Sequence, residues 1–365
     1  AKVTAISHAT KTATITPPVG EPWEESYDII VVTAGAVTRT FPIPGVADQA
    51  IGMKNIEEAI AVRDRMLTNF EKASTLPAGP LRDRLLTFVV VGGGFAGVET
   101  YGEMRSFASS LIAQYPTLTF DDVHFHLIEA MGRIMPEVSL KTSLWVIKNL
   151  EQRGAPVHLD TQLTSAVDGK IELSTGESFE SDLIVWTAGV MASPVLSNTD
   201  LPVEERRRLR VQADMRVVDD NGIVEDAWGA GDVSAVPDLS GGGVGGYCVP
   251  NAQHAVRQGK LLAKNIVAVL RDENPKDYFH KNQGAVAGIG LNNGVFQSGN
   301  FAIKGYIAWV MHRGYHGLAI PTWERKIRVF VDDIVNFLFR RDLVALDARS
   351  NPRAAFEEFA ARPKA

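Results

Sequence analysis

Cysteine is almost absent from this 365-residue chain, where Cys248 stands alone. A single thiol excludes an internal disulfide framework and any C-x-x-C pair, and it suits a reducing compartment. Long apolar runs are missing as well. No uninterrupted stretch approaches the roughly 18–20 residues that span a bilayer, and the first residues carry no signal-peptide pattern, so a non-integral chain is expected. A basic excess is lacking: 37 Lys and Arg face 43 Asp and Glu, a net charge of −6. With no basic run interleaved with aromatics in the first 300 residues, a nucleic-acid partner is excluded. No P-loop, nucleophile elbow or Ser-His-Asp ordering is visible. The chemistry then falls to bound cofactors. An initiator methionine is also lacking. Ala1 runs straight into strand-like sequence, and the expectation is a fragment or truncated chain.

What is present alternates between strand and helix. Val3 to Ile15 alternates like edge strands, and "YDIIVVTAG" (27–35) reads as a buried parallel strand ending in a small-residue turn. Helical spacing runs from Asn55 to Phe70, and "TLPAGPLRDR" reads as a boundary. A strand over 88–91 leads into a helix over 96–112. A second strand, 123–128, ends at Glu129, and a helix over 138–153 is closed by Gly154. "SAVDGKIELSTGESFESDLIVWTAG" predicts a hairpin with an Asp-Gly turn and then a buried strand. This order predicts a doubly wound α/β fold. "IIVVTAG" and "LIVWTAG" are one strand-and-turn used twice, which suggests two nucleotide-binding domains, one inserted in the other.

Gly92, Gly94 and Gly97 stand at G-x-G-x-x-G spacing between strand and helix. The first allows a tight turn, the second lets backbone approach a pyrophosphate, and the third lets helix pack on strand. Glu129 follows at the end of the next strand, where a carboxylate binds ribose hydroxyls and repels a 2′-phosphate. That favours NADH over NADPH, with Arg133 nearby acting in the opposite direction. Glu99 has two readings: a carboxylate serving the helix N-terminus, or a proton-handling group beside a redox centre. Asp232, in "WGAGD", is either an acceptor for a polyol such as a flavin's ribityl chain or the N-cap of the next segment. His124 and His126 share a strand face and read as structural. His312 and His316 are four apart without the glutamate of a zinc helix, so no metal is expected. Trp323, Ile327, Phe330, Val331, Ile334, Phe337 and Leu338 form one helical stripe, with Arg325, Arg328, Asp332, Asn336 and Arg340 opposite. The stripe suits either an interfacial membrane anchor or docking on the core or on a second subunit.

In this order, "YDIIVVTAG…FPIPGV", "VVVGGGFAGVE", "HLIEAMGRIMPE", "VWTAGV", "WGAGD", "VPNAQHAVRQGKLLAKNI" and "IPTWERKIRVFVDDIVNFLFRRDLV" make the chain resemble the type II NADH dehydrogenases. These are single-subunit flavoproteins of the two-dinucleotide-binding superfamily. The resemblance implies two Rossmann-like (FAD/NAD(P)-binding) domains, one inserted in the other, with a C-terminal amphipathic helical module. It implies a first FAD-domain segment over 1–80, an NADH domain over 81–200, a second FAD segment over 201–295 and a membrane-association region over 296–365.

The implied activity is electron transfer from NADH to FAD and on to a membrane quinone, ubiquinone or menaquinone, without proton pumping. The implied location is peripheral, at the cytoplasmic face of the plasma (inner) membrane, with a homodimer as a further option. By position, Glu99 matches a glutamate near the flavin. The cofactor set is Gly92, Gly94, Gly97, Glu129, Thr33, Gly35, Gly189, Gly231 and Asp232. Ala252 and Gln253 match the start of the quinone-lining A-Q-x-x-x-Q helix. Its second glutamine position is Arg257, and Gln258 comes one residue later on another helical face. The family's first glycine fingerprint, which grips FAD, is expected upstream of Ala1. The alternatives are a soluble flavin-dependent NAD(P)H oxidase or disulfide-reductase-like enzyme, and an inactive NADH-binding remnant.

Overall fold

The computed structural model describes residues 1–281, 284–339 and 343. The chain forms two compact units: residues 1–39 with 190–282, and residues 40–189 with 283–365. Residues 40–189 of the second unit are thus inserted in the first, and the chain returns to the second unit at residue 283.

The inserted unit is built on a five-stranded parallel sheet in the order Ala50–Gly52, Leu183–Trp186, Thr87–Val91, His124–Ile128, Val157–His158. Its central strand, Thr87–Val91, is buried at every position. Period 2 sends Phe88 and Val90 into one apolar cluster and Val89 and Val91 into another. A strand covered on both faces must be apolar throughout, which is why it reads as a continuous run. Each such side chain contributes about 1.5–3 kcal/mol on burial. The helix Ile56–Ser74 starts at a reciprocal capping box between Asn55 and Glu58. It buries Val62, Met66, Phe70 and Ala73 against the sheet's core cluster. Phe95–Ile112 follows the central strand, and Leu140–Gln152 is closed by Gly154 at φ +74°. The expected Asp-Gly turn joins Leu163–Ser165 to Lys170–Leu173, with Asp168 and Gly169 at φ +53° and +81°.

Two sequence expectations read differently in the structure. "TLPAGPLRDR" is no boundary: Pro80–Leu85 is a short helix with Pro at its first position, and Arg82 pairs with Asp122. The compact units divide at 39/40, 189/190 and 282/283 instead of residues 80, 200 and 295. The three-residue strand Ala50–Gly52 joins the parallel sheet beside Leu183–Trp186, within the second unit. After the sheet, Ala285–Gly288, Gly294–Ser298 and Phe301–Lys304 form an antiparallel meander of the same unit. Gly102 of the helix Phe95–Ile112 lies against Ile289, where an added Cβ would stand 2.4 Å from a backbone carbon. Only glycine permits that approach.

The first unit holds an antiparallel sheet of Lys2–Ser7, Thr12–Thr16 and Trp23–Ser26. A second sheet orders Arg216–Val218, Ile223–Gly229 and Ile30–Val32, the last pair parallel. The echoed segments do share a design. Ile30–Val32 and Leu183–Trp186 each run parallel to a neighbour and end at a glycine of positive φ, Gly35 at +68° and Gly189 at +119°. The first echo is less buried than expected, since Val31 is exposed and only Val32 is fully enclosed. The helix Ala252–Val269 completes this unit.

The terminal helices Tyr306–Ala319 and Trp323–Leu338 belong to the inserted unit. Arg313 of one pairs with Asp333 of the other, and Phe330 lies on Gly317. The expected stripe is exposed: Trp323 is 76%, Ile327 61%, Ile334 59% and Leu338 67% accessible. Arg340 and residues 344–365 lie outside the described residues, as does the Phe337 side chain. No described helix is long and apolar enough to cross a membrane.

Candidate functional site

In the inserted unit, the strand order places Thr87–Val91 between Leu183–Trp186 on one side and His124–Ile128 on the other. Chain order reverses there, and in open α/β sheets such a reversal opens a crevice at the strands' carboxyl ends. The glycine loop occupies it. Gly92 has φ +110°, and a Cβ on it would stand 2.8 Å from Thr187 Oγ1. Gly97 is buried with its would-be Cβ 1.8 Å from Gly92 O, so any side chain would force helix and loop apart. Gly94 is different: it is exposed and a Cβ there meets nothing within 4 Å. As N-cap of Phe95–Ile112 it supplies no capping side chain. The helix's first N–H groups and its positive dipole end therefore face open space, the arrangement that receives a phosphate group.

Glu129 closes the loop. Its Oε2 accepts from Gly93 N at 2.5 Å and its Oε1 from Met131 N at 2.7 Å. Each oxygen keeps a further lone pair, so the carboxylate is oriented by the backbone while remaining able to accept hydroxyl donors. Arg133 Nη2 donates to Val138 O at 2.5 Å. Its Nε is buried without a hydrogen-bond partner among the described residues.

Glu99 does not serve its own helix N-terminus. Its Oε1 accepts from Gly288 N at 2.9 Å and lies 3.0 Å from His312 Nε2. Glu99, Gly102 and Ser106 share one helical stripe laid along 288–291, where Ser106 Oγ accepts from Leu291 N at 2.9 Å. Arg153 secures the same seam by donating to Ile289 O at 2.6 Å and Ser106 Oγ at 2.8 Å. Glu99 also lines a cavity of about 1410 Å³ with Met66, Met104, His312, Phe330 and Ile334. His312 is a neighbour of Glu99 that sequence reasoning missed. Its spacing to His316 was the only available signal, and that was weighed for zinc alone. Among the described residues no group of His, Cys, Asp and Glu could hold a metal.

In the other unit Asp232 lies inside the turn Gly231–Val233, whose N-cap is Ala230, so it is no N-cap itself. Gly231 has φ +76° and donates its N–H to Gln258 Oε1 at 2.8 Å. Gln258 is 1% accessible. The glutamine that falls one residue off the expected face thus braces the turn carrying Asp232. Arg257 Nη1 donates to Gln253 O at 2.8 Å, and Ala252 and Gln253 open the helix after the capping residue Asn251. Thr33 is exposed, and Gly35 O accepts from Ser193 N at 3.0 Å. Cys248 is buried, and desolvation pushes its thiol up to about 11, so it stays protonated and unreactive. His126 stacks between His158 and Phe179, and burial, then His158, lowers it to about 4. It is a packed histidine, as its strand position suggested.

Residues 1–259 match the family model of pyridine nucleotide-disulphide oxidoreductases. The chain is 29% identical over 356 residues to the type II NADH:quinone oxidoreductase Ndh of Mycobacterium tuberculosis, covering 94% of this chain and 74% of that protein. It is 30% identical to NdhA of the same organism, covering 86% and 67%. A probable NADH dehydrogenase of Dictyostelium discoideum is 27% identical, covering 88% and 70%. In fold it is similar to NDH2 from Plasmodium falciparum in complex with NADH, with a TM-score of 0.86 and 18% identity, covering 94% and 84%. The chain belongs to the pyridine nucleotide-disulphide oxidoreductase family and, within it, to the type II NADH:quinone oxidoreductases.

Proposed function

We propose that the chain oxidises NADH at the glycine loop and reduces a quinone, with FAD as the resident cofactor. The observation that carries this is the pairing of an open Gly94 with a closed Gly97 at the sheet's reversal point, beside a carboxylate oriented by the loop itself. The backbone N–H groups at the start of Phe95–Ile112 bind the dinucleotide's diphosphate, and Glu129 accepts its ribose hydroxyls. Asp232 suits a flavin: a half-buried carboxylate in a glycine turn of positive φ is an acceptor for a polyol. Thr33, Gly35, Gly189 and Gly231 line strand-end turns that give the cofactor close backbone approach. Bound FAD supplies two-electron exchange between nicotinamide and quinone. Glu99 handles the proton that the quinone takes up. Ala252, Gln253 and Arg257 bound the acceptor at the start of their helix.

The exposed stripe of Trp323–Leu338 is read as lying in a membrane surface, on the cytoplasmic face where NADH is available. Its large apolar side chains would bury in the acyl boundary while Arg325 and Arg328 stay at the headgroups. Flotation with liposomes tests this: wild type floats, and Ile327→Glu with Ile334→Glu does not. Equal flotation would return the stripe to a protein partner, a second copy included. The activity is tested by steady-state oxidation of NADH with a short-chain quinone after supplying FAD. Turnover with NADH well above NADPH supports the reading, and NADH binding without turnover would leave only a binding module.

A further inference from the structure

NADPH differs from NADH by one 2′-phosphate, so any charge fixed beside the ribose end of the glycine loop bears on the choice between them. We propose that Asp160 is a second specificity-determining residue of this site, acting with Glu129 to disfavour the 2′-phosphate. The proposal rests on the reading of Glu129 as the carboxylate that accepts the ribose hydroxyls.

Three observations carry it. First, the main chain weaves residues 158–161 onto 129–131. Glu129 N donates to His158 O at 2.9 Å, Thr161 N to Glu129 O at 3.0 Å and Asp160 N to Met131 O at 3.1 Å. Met131 is thereby held from both sides, because its own N–H donates to Glu129 Oε1 at 2.7 Å. Second, the Asp160 carboxylate lies against Gly132, where an added Cβ would stand 3.2 Å from Oδ1 and 3.5 Å from Oδ2. Gly132 is exposed and has no side chain, which leaves the carboxylate open towards the loop. Third, Asp160 has φ +50°, a left-handed backbone that aspartate and asparagine tolerate better than most residues. Its side chain is exposed and accepts no hydrogen bond from the described residues, so backbone geometry alone aims it.

The two carboxylates divide the work. Glu129 is oriented by Gly93 N and Met131 N, so it both accepts hydroxyl donors and repels a phosphate. Asp160 has no such anchor and acts through charge alone. A phosphate monoester carries about −1.5 to −2 at neutral pH, so each nearby carboxylate opposes it at every distance within the screening length. Arg133 acts in the opposite direction from the same loop. Its Nη2 is bonded to Val138 O, and no ion pair joins it to either carboxylate among the described residues. Asp160 thus supplies the charge that offsets Arg133, and Glu129 is free to set the preference for an unphosphorylated ribose.

The test compares Asp160→Asn and Glu129→Gln in the full chain by titration calorimetry with ADP-ribose and with 2′-phospho-ADP-ribose, which needs neither FAD nor a quinone. Asparagine keeps the side-chain shape and the tolerance of positive φ, so the fold is retained and only the charge is lost. The expected result for Asp160→Asn is a gain of about threefold in affinity for the 2′-phosphorylated ligand, the size of one exposed, screened charge. Affinity for ADP-ribose stays at wild type. The gain disappears at about 1 M salt, where charges interact over only about 3 Å. An unchanged ratio of the two affinities, a gain that salt does not remove, or a parallel change with both ligands would make Asp160 merely structural. If Glu129→Gln raises the ratio and Asp160→Asn does not, Asp160 has no part in selection and the reading of Glu129 stands. If Glu129→Gln leaves the ratio at wild type, the reading of Glu129 itself fails, and the proposal with it.

Discussion

The helices Phe95–Ile112 and Ala252–Val269 both begin just beyond glycine-bearing turns, yet they open in opposite ways. The first has Gly94 as N-cap and no capping side chain. The second is closed by Asn251, whose side chain accepts from His254 N at 2.9 Å. Nearby, Gly231 N–H is already taken by Gln258. An uncapped helix start in a folded protein leaves donors unsatisfied by their own chain, which is tolerable only where water or a ligand meets them. The contrast separates a site built for an anion from one whose donors are internally spent. It is consistent with the proposal that the diphosphate meets the first helix, while Asp232 stands in the glycine turn of the first unit.

The largest effect that sharpens this contrast is expected from Gly97→Ala. Its Cβ would overlap Gly92 O, so the loop must shift, at a cost of about 3 kcal/mol or more. Urea denaturation should show the loss, with NADH affinity falling alongside it. Gly94→Ala is the informative partner. Nothing in the protein opposes its Cβ, so stability stays near wild type while the KM for NADH rises about tenfold or more, equivalent to ~1.4 kcal/mol. A Gly94→Ala enzyme with unchanged KM would mean that the open space is not the ligand's. Glu129→Gln should raise kcat/KM for NADPH relative to NADH by up to about tenfold, read from paired steady-state assays. The smallest effect is expected at the other helix: Asn251→Ala removes a cap, costing about 1 kcal/mol, and leaves the KM for NADH alone.

A pH prediction follows from the packed histidine beside the glycine strand. Folding lowers His126 from its ordinary value of about 6.5 to about 4. Between those values the unfolded chain binds more protons, so stability falls as pH drops from about 6.5 towards 4. Partial burial limits the loss to about 2 kcal/mol. His126→Phe should flatten that slope in urea melts taken across the window.

Much of this was legible in local sequence, and the exceptions share one cause. Gly92, Gly94, Gly97 and Glu129 were readable because strand end, turn and helix start follow one another within a few dozen residues. The capping of Ile56–Ser74 and the Asp168-Gly169 turn were readable for the same reason. Ala50–Gly52 was not, because three residues carry no periodicity and their strand character comes from a neighbour at 184–186. Glu99 was visible as a residue, but its partners lie 189 residues away at Gly288 and farther still at His312. Helical spacing alone could not choose between a carboxylate serving its own helix end and one joined to another element. Gln258 looked like a slipped motif position until its hydrogen bond to Gly231 gave it a separate task.

The central claim is that the glycine loop is the NADH site of a flavin-dependent enzyme. Its most direct test is an anaerobic titration of the FAD-loaded chain, following bleaching of the yellow flavin absorbance. Wild type should bleach fully with one equivalent of NADH and require far more NADPH, while Gly94→Ala, folded and yellow, should require an excess of NADH. Bleaching of Gly94→Ala as readily as wild type, or no bleaching of wild type by NADH, would contradict the account.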